Sequence, residues 1–173
     1  MRILGIDPGS AVTGYGVVER RDGRLFHVAH GTLRLRRSEP LAARLAALQR
    51  DLGAVIASFA PDVVSVERVF VSVSARSALV LGHARGVALA SAAGAGLPVA
   101  EYAAREIKQA VVGHGGAHKQ QVQAMVRRLL RLGADPSPDA ADALACAICH
   151  AHGGQGLGKL ATAGYRMKRG RLV

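Results

Sequence analysis

This chain has no tryptophan, three tyrosines, three phenylalanines and two cysteines in 173 residues. With so few aromatics, the core must come from Ala, Val, Leu and Ile, which favours closely apposed helices and strands. Two cysteines exclude a disulfide framework. Long apolar runs are missing too. The longest, in Gly86 to Gly96, is Ala-rich and about ten residues, too short to span a bilayer. The first residues already read as a strand with no secretory signal, so a cytoplasmic location is expected. Acids are also scarce: 12 Asp plus Glu stand against 23 Lys plus Arg, for a net charge of +11 and a pI near 11.0. That excess is the footprint of a protein facing a polyanion, either nucleic acid or an anionic membrane.

The length suits one domain with a sizeable core. Arg2 to Asp7 reads as a buried strand that stops at the turn Pro8-Gly9-Ser10. Gly14 to Glu19 reads as a second strand, and Arg21-Asp22-Gly23 as a hairpin signal into a third near Leu25 to Leu35. After Pro40, apolar residues recur at three- and four-residue spacing from Leu41 to Phe59, predicting an amphipathic helix. A strand over Asp62 to Glu67 follows, then a helix over Ala75 to Ala93, a strand over Pro98 to Tyr102 and a helix over Ala103 to Val112. A further helix runs from His118 to Leu132, and Ser137-Pro138 opens the last, with Ser137 at its N-cap. The pattern predicts an α/β domain over residues 1–152, a mixed sheet flanked by helices. Residues 153–173, rich in Gly and including Lys159, Arg166, Lys168, Arg169 and Arg171, are expected to form a flexible basic extension. There is no internal repeat.

Because acids are rare, four of them carry weight: Asp7, Glu67, Asp139 and Asp142. Asp7 and Glu67 end apolar strands, where an unpaired buried carboxylate is costly unless it pairs or binds metal. Asp139 and Asp142, three apart on a helix, share one face. Each has a structural reading when taken alone. Asp7-Pro8-Gly9 makes an acceptable turn, and acids in a first helical turn complement the helix dipole. Jointly they suggest a divalent-cation site facing a phosphodiester, with Mg²⁺ as the hard cation that oxygen donors suit. Two such ions would activate a water and stabilise the leaving oxygen, with no Ser, Cys or His nucleophile required.

The order of motifs resembles one family. Gly5-Ile6-Asp7-Pro8-Gly9 with Thr13-Gly14-Tyr15-Gly16, Glu67-Arg68-Val69-Phe70, and Ser77-Ala78-Leu79 continuing through Leu81-Gly82-His83-Ala84-Arg85-Gly86 are similar to stretches of the RuvC family. So are Ile107 to Gly113, Lys119-Gln120-Gln121-Val122-Gln123, and Asp139-Ala140-Ala141-Asp142-Ala143-Leu144-Ala145. These are bacterial Holliday-junction resolvases, crossover junction endodeoxyribonucleases with an RNase H-like fold. The resemblance covers residues 1 to about 152. It implies a mixed five-stranded sheet with helices on both faces, and a homodimer that nicks four-way DNA junctions symmetrically, leaving a 5′-phosphate and a 3′-hydroxyl. It further implies two Mg²⁺ per site, replaceable by Mn²⁺, and the RuvA/RuvB branch-migration complex as partner. The catalytic and metal-binding acids would be Asp7, Glu67, Asp139 and Asp142. Phe70 would be an aromatic junction contact, and Lys108 and Lys119 DNA-binding lysines. One departure follows Phe70: the family's common Lys-Asn pair is Val73-Ser74 here.

Phe70, in a short polar segment, suits stacking on an unpaired base near a crossover. Lys119, Arg127 and Arg131 give one helix a basic face, expected to contact phosphates. Gly82, Gly86 and Ala90 recur at four-residue spacing, a stripe that lets another helix approach closely, either within the chain or from a second subunit. Cys146-Ala147-Ile148-Cys149-His150 matches a haem-attachment pattern and, with His152, a conceivable zinc site. On an Ala-rich helix the two cysteines read instead as small core residues. A small ATP-binding protein of the actin and sugar-kinase type shares the Asp-x-Gly turn. It needs a second lobe that 173 residues cannot house. A junction-binding protein without activity is disfavoured by the complete set of acids.

Overall fold

The computed structural model describes residues 1–68, 75–153, 167–168 and 171–172. Strand β1 (Arg2–Asp7) pairs antiparallel with β2 (Val12–Arg21), which pairs antiparallel with β3 (Arg24–Arg34). The β2–β3 hairpin turns at Asp22 and Gly23, both at positive φ (51° and 74°), the type I′ geometry whose twist matches the flanking strands. On its other side β1 pairs in parallel with β4 (Val63–Arg68), and β4 with β5 (Val99–Ala103). The sheet order is β3-β2-β1-β4-β5.

Among the described residues, five helices cover both faces. Helices α1 (Leu41–Phe59) and α2 (Ala75–Gly94) pack on Leu4, Ile6, Val17, Val64 and Val66. Helices α3 (Ala104–Val112), α4 (Lys119–Leu130) and α5 (Pro138–Ala151) pack on Ile3, Val18 and Val63. The period-two alternation of strand side chains thus divides one sheet between two cores. The pattern predicted α4 to Leu132, but it ends at Leu130 because Arg131 takes a left-handed φ of 53°. Ser137 and Pro138 open α5 as the sequence predicts, although the Ser137 side chain makes no capping bond. No helix among the described residues is long and apolar enough to cross a membrane. In the C-terminal extension, β6 (Met167–Lys168) pairs antiparallel with β7 (Arg171–Leu172). Phe70, Val73, Ser74, Lys159, Arg166 and Arg169 lie outside the described residues.

Helix α5 is buried without a break from Ala143 to Cys149, Cys146 fully so. Its approach to the sheet depends on glycine. A Cβ at Gly5 would overlap the Ala143 carbonyl and reach 2.8 Å from the Ala147 nitrogen. One at Gly14 would overlap the Asp139 carbonyl, and one at Gly16 would lie 2.7 Å from Leu144 Cγ. Gly5 and Gly16 are cross-strand neighbours, so three glycines on two strands form a bed for one helix. Ser65, buried on β4, donates its hydroxyl to the Cys146 carbonyl at 2.9 Å and fastens the helix on the far side of β1.

Gly5→Ala should therefore lower stability by about 1–3 kcal/mol, since the overlapping atoms are backbone and cannot rotate away. Gly53→Ala in α1, whose added Cβ would meet nothing within 4 Å, should raise it by up to about 1 kcal/mol through helix propensity alone. Urea unfolding of both variants checks the pair, and equal effects of the same sign would refute the helix-bed account.

Candidate active site

Strand alternation aims both strand acids at α5. Gly5 faces that helix, so Asp7, two residues on, does too; Ser65 faces it, so Glu67 does as well. The β1–β4 register pairs Ile6 with Val66, which sets Asp7 and Glu67 side by side at the C-terminal ends of parallel neighbours. Beyond Asp7, the Gly9 amide donates to the buried Thr13 hydroxyl at 3.3 Å, holding the turn that ends the strand. Across from them, α5 begins with Pro138 and carries Asp139 and Asp142 in and just past its first turn. Gly14, paired with Asp7, lies directly beneath Asp139.

Asp7, Glu67 and Asp142 line one cavity of about 320 Å³ with Lys108 and Lys119. Leu81, Ile107, Val122 and Ala145 supply its apolar wall. Asp139 is not in this lining, but its charge reaches Asp7. Burial, and then the charges of Asp142, Glu67 and Asp139, push the Asp7 carboxyl up from 3.8 to about 7. Burial and Asp142 also raise Glu67, against the opposing pull of Lys119 and Lys108. Lys119 Nζ stands 3.2 Å from Asp142 Oδ2. Among the described residues, no three His, Cys, Asp or Glu side chains are grouped closely enough to hold a metal ion as they stand.

The other sequence candidates separate from this cavity. Arg127 and Arg131 line a second depression with Arg128 and Asp135, and Arg127 pairs with Asp135 at 3.3 Å. Gln123 donates to the Pro136 carbonyl at 2.6 Å, so part of the polar face of α4 ties down the segment before α5. Gly82, Gly86 and Ala90 are exposed, and a Cβ at either glycine would meet nothing within 4 Å among the described residues. The inner stripe of α2 is instead Ala84, Ala88 and Ala92, all buried. Cys146 and Cys149 are buried core thiols, both pushed up chiefly by burial. Tyr102 and His150 share a 2.8 Å hydrogen bond, and His152 Nδ1 donates to the Ala110 carbonyl at 3.1 Å. The C-x-x-C-H run therefore faces inward as packing. The glycine bed and Ser65 were missed from sequence, although glycine in alternate positions of a strand is itself a mark of close backbone approach.

A five-stranded sheet in this order, with acids ending its two central parallel strands and more on the helix across them, is the RNase H-like arrangement. The chain matches the family model described as crossover junction endodeoxyribonuclease RuvC over residues 3–150. It is 56% identical to the crossover junction endodeoxyribonuclease RuvC of Dechloromonas aromatica, covering 99% of this chain and 96% of that protein. With the protein of the same description from Methylobacillus flagellatus, it shares 54% identity over 99% and 98% of the two chains. Among solved structures, Thermus thermophilus RuvC in complex with Holliday junction substrate superposes with a TM-score of 0.84 at 35% identity, covering 90% of this chain and 95% of that one. This chain belongs to the RuvC family of crossover junction endodeoxyribonucleases.

The electrostatics of the acids predict a pH effect on the protein without divalent cations. Below about pH 4, Asp7 is protonated whether the chain is folded or not, and folding carries no penalty. Between about 4 and 7 the unfolded chain ionises while the folded one keeps its proton, so stability falls as pH rises and the loss is complete above about 7. The separation corresponds to at most about 4 kcal/mol. In EDTA, Asp7→Asn should be more stable than the parent at pH 8 and equal to it near pH 4. A difference between the two proteins that does not vary with pH would contradict this.

Proposed function

We propose that this chain resolves Holliday junctions as a homodimer, nicking two strands symmetrically by metal-dependent hydrolysis during recombination and repair. The observation that carries the reading is the convergence of Asp7, Glu67 and Asp142 on one cavity, with Asp139 beside them, in a protein of net charge +11. The donor set fits a hard divalent cation: oxygen ligands only, and an Asp7 carboxyl that burial and then its acidic neighbours push up to about 7 unless more positive charge arrives. Asp7, Glu67, Asp139 and Asp142 would hold two Mg²⁺, with Mn²⁺ as a substitute. When bound, such a pair supplies an activated water on one side of the phosphorus and stabilises the leaving oxygen on the other.

The protein's own groups do the rest. The apolar wall of Leu81, Ile107, Val122 and Ala145 limits water around the acids and so strengthens their hold on cations. Lys108 and Lys119 at the rim would meet the scissile phosphate and neutralise it. Arg127 and Arg131, in their separate depression, would contact phosphates of a duplex arm farther out. Phe70 would stack on a base unpaired at the crossover. The products would be a 5′-phosphate and a 3′-hydroxyl. RuvA/RuvB would deliver the junction in the cytoplasm.

Helix α2 supports the dimer. Its inner stripe of alanines is covered by the chain, whereas the outer stripe of Gly82, Gly86 and Ala90 is bare and as small as the inner one. A helix apolar on both sides is made to be covered on both. The same stripe from a second copy would fit, and a two-fold pair of active sites suits a four-way junction.

Asp7→Asn, Glu67→Gln, Asp139→Asn and Asp142→Asn should each reduce junction cleavage about a hundredfold or more, with junction binding nearly unchanged. Rapid Mg²⁺-dependent cleavage by any variant would remove that residue from the set. An intact protein that binds junctions but never cuts them would sink the enzymatic reading.

Gly86→Leu should yield folded monomers, because a Cβ added there would meet nothing within 4 Å among the described residues. Light scattering should report the monomer mass, and a supercoiled cruciform should accumulate single nicks. A folded, fully dimeric variant would rule out this stripe as the interface.

A further inference from the structure

Lys119 is oddly placed for a residue whose only task is to hold DNA. It is the first residue of α4, at the positive end of the helix dipole, where a cation is unfavourable. Its side chain is 80% exposed, yet its ammonium folds back onto Asp142, which is only 23% exposed. The acids of the cavity draw it in: Asp142 foremost, then Asp7 and Asp139, whose charges raise its pKa against the smaller opposing effect of burial. Lys108 lines the same cavity but makes no ion pair among the described residues. Lys119 therefore already occupies, with its own positive charge, one carboxylate oxygen of the cavity.

We propose that Lys119 is a built-in competitor of the divalent cations, an ammonium that must leave Asp142 before that carboxylate can serve as a metal ligand. The inference rests on the metal-site reading above and concerns the regulation of that site. Its consequence is a coupling. A phosphate that draws Lys119 away frees Asp142 for a metal ion, and an ion that displaces Lys119 frees it for a phosphate. By thermodynamic reciprocity each ligand then strengthens the other by the same factor. The tether must be weak to be a switch. An ion pair with one partner this exposed is worth little and is screened by salt, so displacement is easy and the competition modest.

The test is Mn²⁺ affinity measured by calorimetry on the full chain at low ionic strength, without DNA. Lys119→Met, which keeps the length and removes the charge, should bind Mn²⁺ about three- to tenfold more tightly than the parent. Lys119→Arg should bind like the parent, and Asp142→Asn more weakly than either, which shows that the titration reads this site. Added four-way junction DNA should tighten Mn²⁺ binding less in Lys119→Met than in the parent. Equal or weaker Mn²⁺ binding by Lys119→Met, with Asp142→Asn still impaired, would overturn the competition and leave the metal site standing. No Mn²⁺ binding by the parent, with Asp142→Asn indistinguishable from it, would overturn the metal-site reading and the competition together.

Discussion

The contact between α5 and the two strands beneath it governs everything else in this fold. Gly5, Gly14 and Gly16 let helix backbone lie against strand backbone. Ser65 then locks the far side of the helix through the Cys146 carbonyl. Two of the four acids ride on that helix and two on the strands. Their spacing is therefore set by how closely two pieces of backbone approach, with no flexible side chain between them. A rigid element placed this way holds functional groups more closely than a loop could.

That proximity has an electrostatic cost which the chain does not hide. Asp7 is pushed to about 7 by burial and by its three acidic neighbours. Lys119 offsets part of the repulsion from the rim, and Lys108 also pulls Glu67 down. The site is thus strained toward cations of any kind, an ammonium included. Catalytic carboxylates with perturbed affinities for protons commonly mark functional sites for this reason.

Most of the fold was legible in the sequence because it is written in local signals. Asp22-Gly23 specified a type I′ hairpin, Pro40 opened α1, and Pro138 opened α5. The strand acids were legible because carboxylates are rare and interrupt apolar runs. What stayed hidden depends on tertiary distance. The bed under α5 required knowing which helix lies over which glycines. The outward aim of Gly82 and Gly86 required knowing that Ala84 and Ala88 face in. The spacing put Arg127 and Arg131 on the helix of Lys119, yet eight residues of rise to Arg127 and the left-handed Arg131 just past the helix carry them into a different depression. Spacing along a helix gives a face, and only packing gives the neighbour.

The β2–β3 hairpin has a practical consequence. Gly14 of β2 lies beside Asp7, while the turn at Asp22 and Gly23 is eight residues farther along the strand, about 26 Å away at a rise of about 3.3 Å per residue. The turn is exposed, and among the described residues no heavy atom lies within 4 Å of a Cβ built on Gly23. With both native thiols buried, a cysteine introduced at Asp22 would be the accessible one among the described residues. A fluorophore attached there would ride on a rigid strand, well clear of the acids, and report the orientation of the protein on a nucleic acid in single-particle measurements.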